Sequence, residues 1–178
     1  VNYVDVTPVV SVLRAEGASV CCSNSEYRGI NAGVNAVLGM YRAPRSDLQV
    51  LTGLRVSIAS MNGYALNVWD VPVEGGWRWS GREGALVRGY GEVGVGPHLY
   101  VVVPQYQAIL GDVGFGTHTG FGATIGTGDV RGVLGLRASV SVGFDQLSGH
   151  VSTVEGDRYW DWHPLSARVD GYAGVEFR

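Results

Sequence analysis

Lysine is absent from this 178-residue chain; all 13 basic residues are arginine. That bias alone assigns no function. Charge of either sign is scarce, at 16% of residues, against roughly 25% in ordinary soluble domains. A net charge of -3 and a pI near 5.8 leave no basic stripe for nucleic acid. No run approaches the ~18 consecutive apolar residues of a spanning helix. Val1-Asn-Tyr-Val-Asp5 lacks the basic start and apolar core of a signal peptide, so an exported protein would be present here in mature form. Helical 3.6-residue periodicity is missing as well. Only two cysteines occur, the adjacent Cys21 and Cys22; without C-x-x-C or Cys/His spacing they define no zinc site. What is abundant is glycine, at 28 residues, together with valine throughout. Both disfavour helices, so the chain reads as all-β.

The clearest signal is strict alternation. From Arg168 to Arg178, Val169, Gly171, Ala173, Val175 and Phe177 fall on one side of a ribbon. Arg168, Asp170, Tyr172, Gly174 and Glu176 fall on the other. Successive strand side chains point to opposite faces, so this segment has an apolar and a charged side. Following the same period between turn signals gives eight expected strands. They are Tyr3–Leu13, Arg28–Tyr41, Leu48–Ala59, Ala85–Val95, His98–Gln107, Phe115–Ile125, Val133–Phe144 and the terminal segment. Ala43–Asp47 and Gly126–Asp129 read as tight turns, and Gly96-Pro97 as a further turn. The His98–Gln107 strand is almost wholly apolar and holds Pro104, which suits a strand end or edge.

The expected connections then run long, short, long, short, medium, short, long. The long ones are Ala15–Glu26, Ser60–Glu83 and Asp145–Pro164. On the apolar face none of the assigned strand positions is charged. The opposite face holds Asp5, Arg55, Arg88, Glu92, Arg137, Arg168, Asp170 and Glu176, with Tyr90 and Tyr172 beside them. Exclusion of charge from one face is what lipid exposure enforces, since an Arg at mid-bilayer costs ~2–4 kcal/mol. The charged face, closed on itself, would need mutual pairing, because an unpaired buried ion costs several kcal/mol. Glycines on that face, such as Gly33, Gly94, Gly120 and Gly135, would make room for Arg and Tyr. The expected architecture is a single domain over residues 1–178. It is an eight-stranded antiparallel up-and-down transmembrane β-barrel, with short turns on one side and long loops on the other. A polar-surfaced sandwich is the competing arrangement.

On this alternation, and on the ending Tyr172-Ala-Gly-Val-Glu-Phe177, the chain resembles the small eight-stranded outer-membrane barrels of the OmpA/OmpX type. The resemblance covers nearly the whole chain as a pattern; Arg178 after the aromatic departs from it. It implies a bacterial outer-membrane location and says little about activity. As partners it implies outer-membrane lipid and lipopolysaccharide, with other envelope proteins reached through the long loops.

Candidate chemistry is sparse. Trp69, Trp77, Trp79, Trp160 and Trp162 lie in or beside the two longer connections. Their rings suit a membrane–water girdle, or loop packing, or an exposed binding patch. Cys21 and Cys22 could form a strained vicinal disulfide, link two chains, or stay idle. His150 and Ser152, with Glu155 beyond, resemble the His-x-Ser pair of outer-membrane lipid A deacylases and supply the residue types of a nucleophile, base and acid. Their surroundings do not match that family. His118 reads as a lumen hydrogen-bonding group. The glycine-rich 114–124 stretch precedes no helix and lacks a following Lys, so it is no phosphate loop. No metal or cofactor is expected. The reading is a non-enzymatic barrel with a structural, anchoring or surface-interaction role. Its alternatives are a lipid-modifying hydrolase and a soluble lipocalin-like barrel with an apolar ligand.

Overall fold

The computed structural model describes residues 3–21, 28–43, 45–61, 64–82, 84–104, 109–145, 147–153 and 156–178. Side chains are described throughout these except at 12–21, 28–32, 34–35, 40–43, 58–61, 64–66, 150–151, 153 and 156–164. Nine strands follow in order: β1 (Tyr3–Cys21), β2 (Arg28–Ala43), β3 (Ser46–Met61), β4 (Tyr64–Ser80), β5 (Val87–Pro104), β6 (Leu110–Ile125), β7 (Val130–Gly143), β8 (Leu147–Thr153) and β9 (Gly156–Phe177). Each pairs antiparallel with its neighbour in the order β1-β2-β3-β4-β5-β6-β7-β9, and β9 returns to β1. The result is a closed eight-stranded barrel. β8 continues the line of β7 and flanks the first part of β9, from Leu147↔Trp162 to Thr153↔Gly156.

The barrel is inside out relative to a soluble domain. Asp5, Gln49, Arg55, Glu92, Arg137 and Asp170 are almost wholly buried, while Val10, Phe121 and Leu165 are more than half exposed. β5 alternates exposed and buried positions along nearly its whole length. A soluble core would reverse that order. Its charged interior also departs from a barrel built to hold an apolar ligand.

The walls differ from the expected layout in three places, each for a physical reason. First, β4 occupies a segment read as a connection. There Val68, Asp70, Pro72, Glu74 and Arg78 alternate inward and Trp69, Val73, Trp77 and Trp79 outward, so the Trp-rich segment is wall rather than loop. Second, Gly96-Pro97 is no turn. It lies inside β5, where Gly96 faces Gly116 and Pro97 faces Phe115 on β6. A strand residue offers its N–H to one neighbour only, so proline removes one rung and leaves the other ladder whole. The register from Pro72↔His98 to Gly75↔Val95 passes these prolines without changing phase. A side chain at Gly96 would collide with the Val73 carbonyl oxygen, which explains the glycine at that crossing. The two expected strands Ala85–Val95 and His98–Gln107 are therefore one.

Third, the segments read as long loops are mostly strand. β1 runs on to Cys21, and Asp145–Pro164 forms β8 and the start of β9. One end of the barrel, the turn end, carries the 44–45, 81–86 and 126–129 connections and the close of β9. Gly126 has φ 124°, a conformation open to glycine. At the far end β1 pairs with β2 only from Tyr3↔Gly39 to Val10↔Ala32, then continues along β9 alone, with a bulge between Ser11 and Leu13. Val12, assigned to the regular outer face from the sequence, sits in that bulge.

Candidate functional site: the charged lumen

Every lumen residue named from the sequence is buried inside the barrel. They join side chains on β4 and β5 that the sequence reading had not placed, and divide into two clusters.

Arg78 on β4 organises the first. Its Nη1 donates to Asp5 Oδ2 at 2.7 Å, and its Nε and Nη2 donate to Glu92 Oε2 at 3.3 and 3.0 Å. Glu92 also accepts from Arg137, with Nε at 2.9 Å and Nη2 at 2.5 Å from Oε1. One carboxylate thus joins two guanidinium groups, each placing two N–H donors on one of its oxygens in charge-assisted bonds. Aromatic faces cover the cations: Arg78 lies 4.2 Å from the Tyr90 ring centroid and 5.1 Å from that of Tyr3, and Arg137 lies 4.9 Å from that of Tyr172. The Tyr90 and Tyr172 hydroxyls are 2.8 Å apart. Glu176 approaches Arg78 at 3.9 Å and accepts from Arg178 at 2.7 Å. Arg88 stands apart, donating to the Gly81 carbonyl at 3.2 Å.

His98 organises the second. Nδ1 faces Asp70 at 2.7 Å and Nε2 faces Glu74 at 2.8 Å. Ionised carboxylates only accept, so both contacts are satisfied together by a ring carrying a proton on each nitrogen. Glu74 also bonds His118 Nδ1, and Asp70 bonds Arg168. Arg55 stands 3.7 Å from Asp70 and 3.8 Å from Asp170; none of its guanidinium nitrogens makes a hydrogen bond among the described residues. Ser11 donates to Asp170 at 2.5 Å. Glycines on facing strands make room for the rings: a side chain at Gly116 would meet His98, and one at Gly94 would meet His118.

The turn end of the lumen holds a narrow crevice. The crevice bounded by Tyr3, Asp47, Arg78, Arg88, Tyr90 and Glu176 holds about 10 Å³, room for roughly one water.

Asp70, Glu74, Arg78 and His98 are buried lumen residues that sequence reasoning missed. On β4 their signal was present as i, i+2 polar alternation across Asp70-x-Pro-x-Glu74 and up to Arg78, within a segment read as a Trp-rich connection. Trp69, Trp77 and Trp79 lie on the outer face of β4, between 39% and 49% exposed, rather than in a loop. Trp160 and Trp162 fall in β9, paired with Val20 and Ala18, and their side chains lie outside the described residues. Cys21 ends β1 opposite Tyr159; Cys22 and Glu155 lie outside the described residues. His150 and Ser152 fall in β8, opposite Tyr159 and Asp157. Among the described residues no group of three or more His, Cys, Asp or Glu could hold a metal ion.

Fold and lumen together define a small β-barrel of the outer-membrane type. No family model matches the chain, and no curated protein matches it in sequence. Among solved structures it is similar to Neisserial surface protein A (NspA), with TM-score 0.52 and 13% identity over 98% of this chain and 95% of that one. The outer membrane protein OprG of Pseudomonas aeruginosa matches with TM-score 0.49 and 6% identity over 97% and 94% of the two chains. The N-terminal β-barrel domain of P. aeruginosa OprF matches with TM-score 0.37 and 12% identity over 95% and 97%. The likeness to NspA is one of fold: a closed, all-antiparallel eight-stranded barrel.

Proposed function

We propose that the chain is an integral barrel of the bacterial outer membrane with a sealed lumen and a structural, anchoring or surface-interaction role. The observation that carries this reading is the inverted polarity: charge fills the interior and Val, Leu, Phe and Trp cover the outside. In hydrocarbon that exterior is stable, and in water it would be an apolar patch far beyond a soluble monomer's few hundred Å². The tryptophans support the same seat. At ~3.3 Å per residue and a ~40° tilt, Trp69 to Trp79 rises about 25 Å, the height of the apolar band in such barrels. Trp69 then marks one interface, and Trp77 with Trp79 the other. Two salt-bridged clusters crossing an interior only wide enough for side chains support a plug, so bulk solute passage is not its task. The strands projecting at the far end, β1, β8 and β9, supply the surface for lipopolysaccharide or another envelope protein.

Fractionation tests the reading. The native protein is expected with outer membranes, to run as a heat-modifiable band, and to give no steady conductance when refolded into planar bilayers. Recovery in solution without detergent would overturn the membrane seat, and a stable ohmic channel would overturn the sealed lumen.

A further inference from the structure

The turn end is lined with arginine. Arg45 sits in the β2–β3 connection, Arg82 between β4 and β5, Arg131 at the start of β7, and Arg178 directly after β9. Together they encircle the rim. Arg45, Arg82 and Arg178 are exposed and Arg131 is half-buried. The carboxylates at this end do not match them: Asp47 and Glu176 are buried, Asp129 alone is exposed among the described residues, and Glu83 lies outside those residues. Among the described residues Arg131 donates only to the Gly128 carbonyl, and the Arg178 side chain to Glu176. Arg45 and Arg82 make no side-chain hydrogen bond or ion pair among the described residues. The opposite end has the other sign: residues 144–163 carry Asp145, Glu155, Asp157 and Asp161 against Arg158 alone.

Depth gives the rim its meaning. Trp79 is paired with Ser46, the residue after Arg45, and the Ser80 amide donates to the Arg45 carbonyl at 3.0 Å. Along β4, half-exposed Trp77 and Trp79 thus end the apolar face, with the Arg45 backbone at their level and Arg82 one step past the strand. Tryptophan settles at the boundary of the hydrocarbon, so that step is the level of lipid phosphates. A guanidinium fork matches a phosphate bidentately and is held less tightly by water than an ammonium. We propose that this arginine rim is a collar that binds the headgroup phosphates of anionic phospholipids in the leaflet reached by the turn end. It rests on the membrane reading above and adds a lipid preference to it.

Trp79 is the reporter. A chain keeping Trp79 alone, and a companion keeping Trp69 alone, are refolded into phosphatidylcholine vesicles containing rising fractions of brominated phosphatidylcholine or brominated phosphatidylglycerol. Both brominated lipids are expected to quench both tryptophans. At Trp79 the anionic lipid should bind about three- to five-fold more strongly than the neutral one, with the preference shrinking as salt rises; at Trp69 the ratio should stay near one. The R45Q/R82Q/R131Q/R178Q variant, checked for heat-modifiable folding, should bring Trp79 to parity, and R45Q/R82Q should lower the preference in part. Quenching by both lipids with no preference at Trp79, or a preference untouched by the four substitutions, overturns the collar and leaves the membrane seat standing. Absence of quenching by either lipid overturns both.

Discussion

The two lumen clusters place similar charges in similarly buried surroundings and connect them differently. Around Arg78 and Glu92 the ion pairs to Asp5 and Glu92 are also hydrogen bonds, only Glu176 standing off at 3.9 Å, and aromatic rings cover the cations. Around His98 an imidazole ties two carboxylates together, while Arg55 stands at 3.7 and 3.8 Å from its acids without one hydrogen bond. Desolvating an ion costs several kcal/mol, and only good geometry returns it. Proximity in a barrel interior is therefore no measure of what a pair contributes. The first cluster clamps β1, β4, β5 and β7 together; in the second, Arg55 is held near its acids without being locked to them.

Urea unfolding in detergent micelles, followed by Trp fluorescence, can break or sharpen this contrast. Arg78→Met leaves Asp5 without its donor and takes one fork from Glu92. The expected loss is about 3–5 kcal/mol, as for the breaking of a buried pair. Next comes His98→Leu, which sets Asp70 and Glu74 face to face but leaves each another partner, Arg168 and His118; about 2–3 kcal/mol should go. Gly94→Ala drives a methyl group against the His118 ring and should cost about 1–3 kcal/mol by overpacking. Arg55→Met should cost least, about 1 kcal/mol or less, since it removes an ion without hydrogen bonds. Were Arg55→Met to cost as much as Arg78→Met, geometry would not be what separates the clusters.

Most of the fold was legible because β alternation is local. Charge-free apolar positions placed β2, β3 and β7 nearly to their ends, and β6 at its end but not its start, which lies five residues earlier at Leu110; Asp170, Tyr172 and Glu176 showed the polar side of β9 without any partner in view. The split of β5 into two expected strands has a clear cause. Gly96-Pro97 carries a strong local turn signal, yet it lies in a wall strand flanked on both sides, where the loss of one rung is tolerated. Such flanking comes from residues far away in sequence. Glycine was half legible: Gly94 and Gly135 could be assigned to the inner face, but which ring each one admits could not.

From the sequence alone came the class of the chain: period-two polarity, an uncharged apolar face and a charged opposite face are written residue by residue. Tertiary structure alone decided who pairs with whom. Strand register and barrel closure bring Arg78 to Asp5 and Glu92, and His98 to Asp70 and Glu74, across separations that no local pattern encodes. An ion's partner inside a barrel is fixed by where the walls meet, and that is a property of the closed sheet.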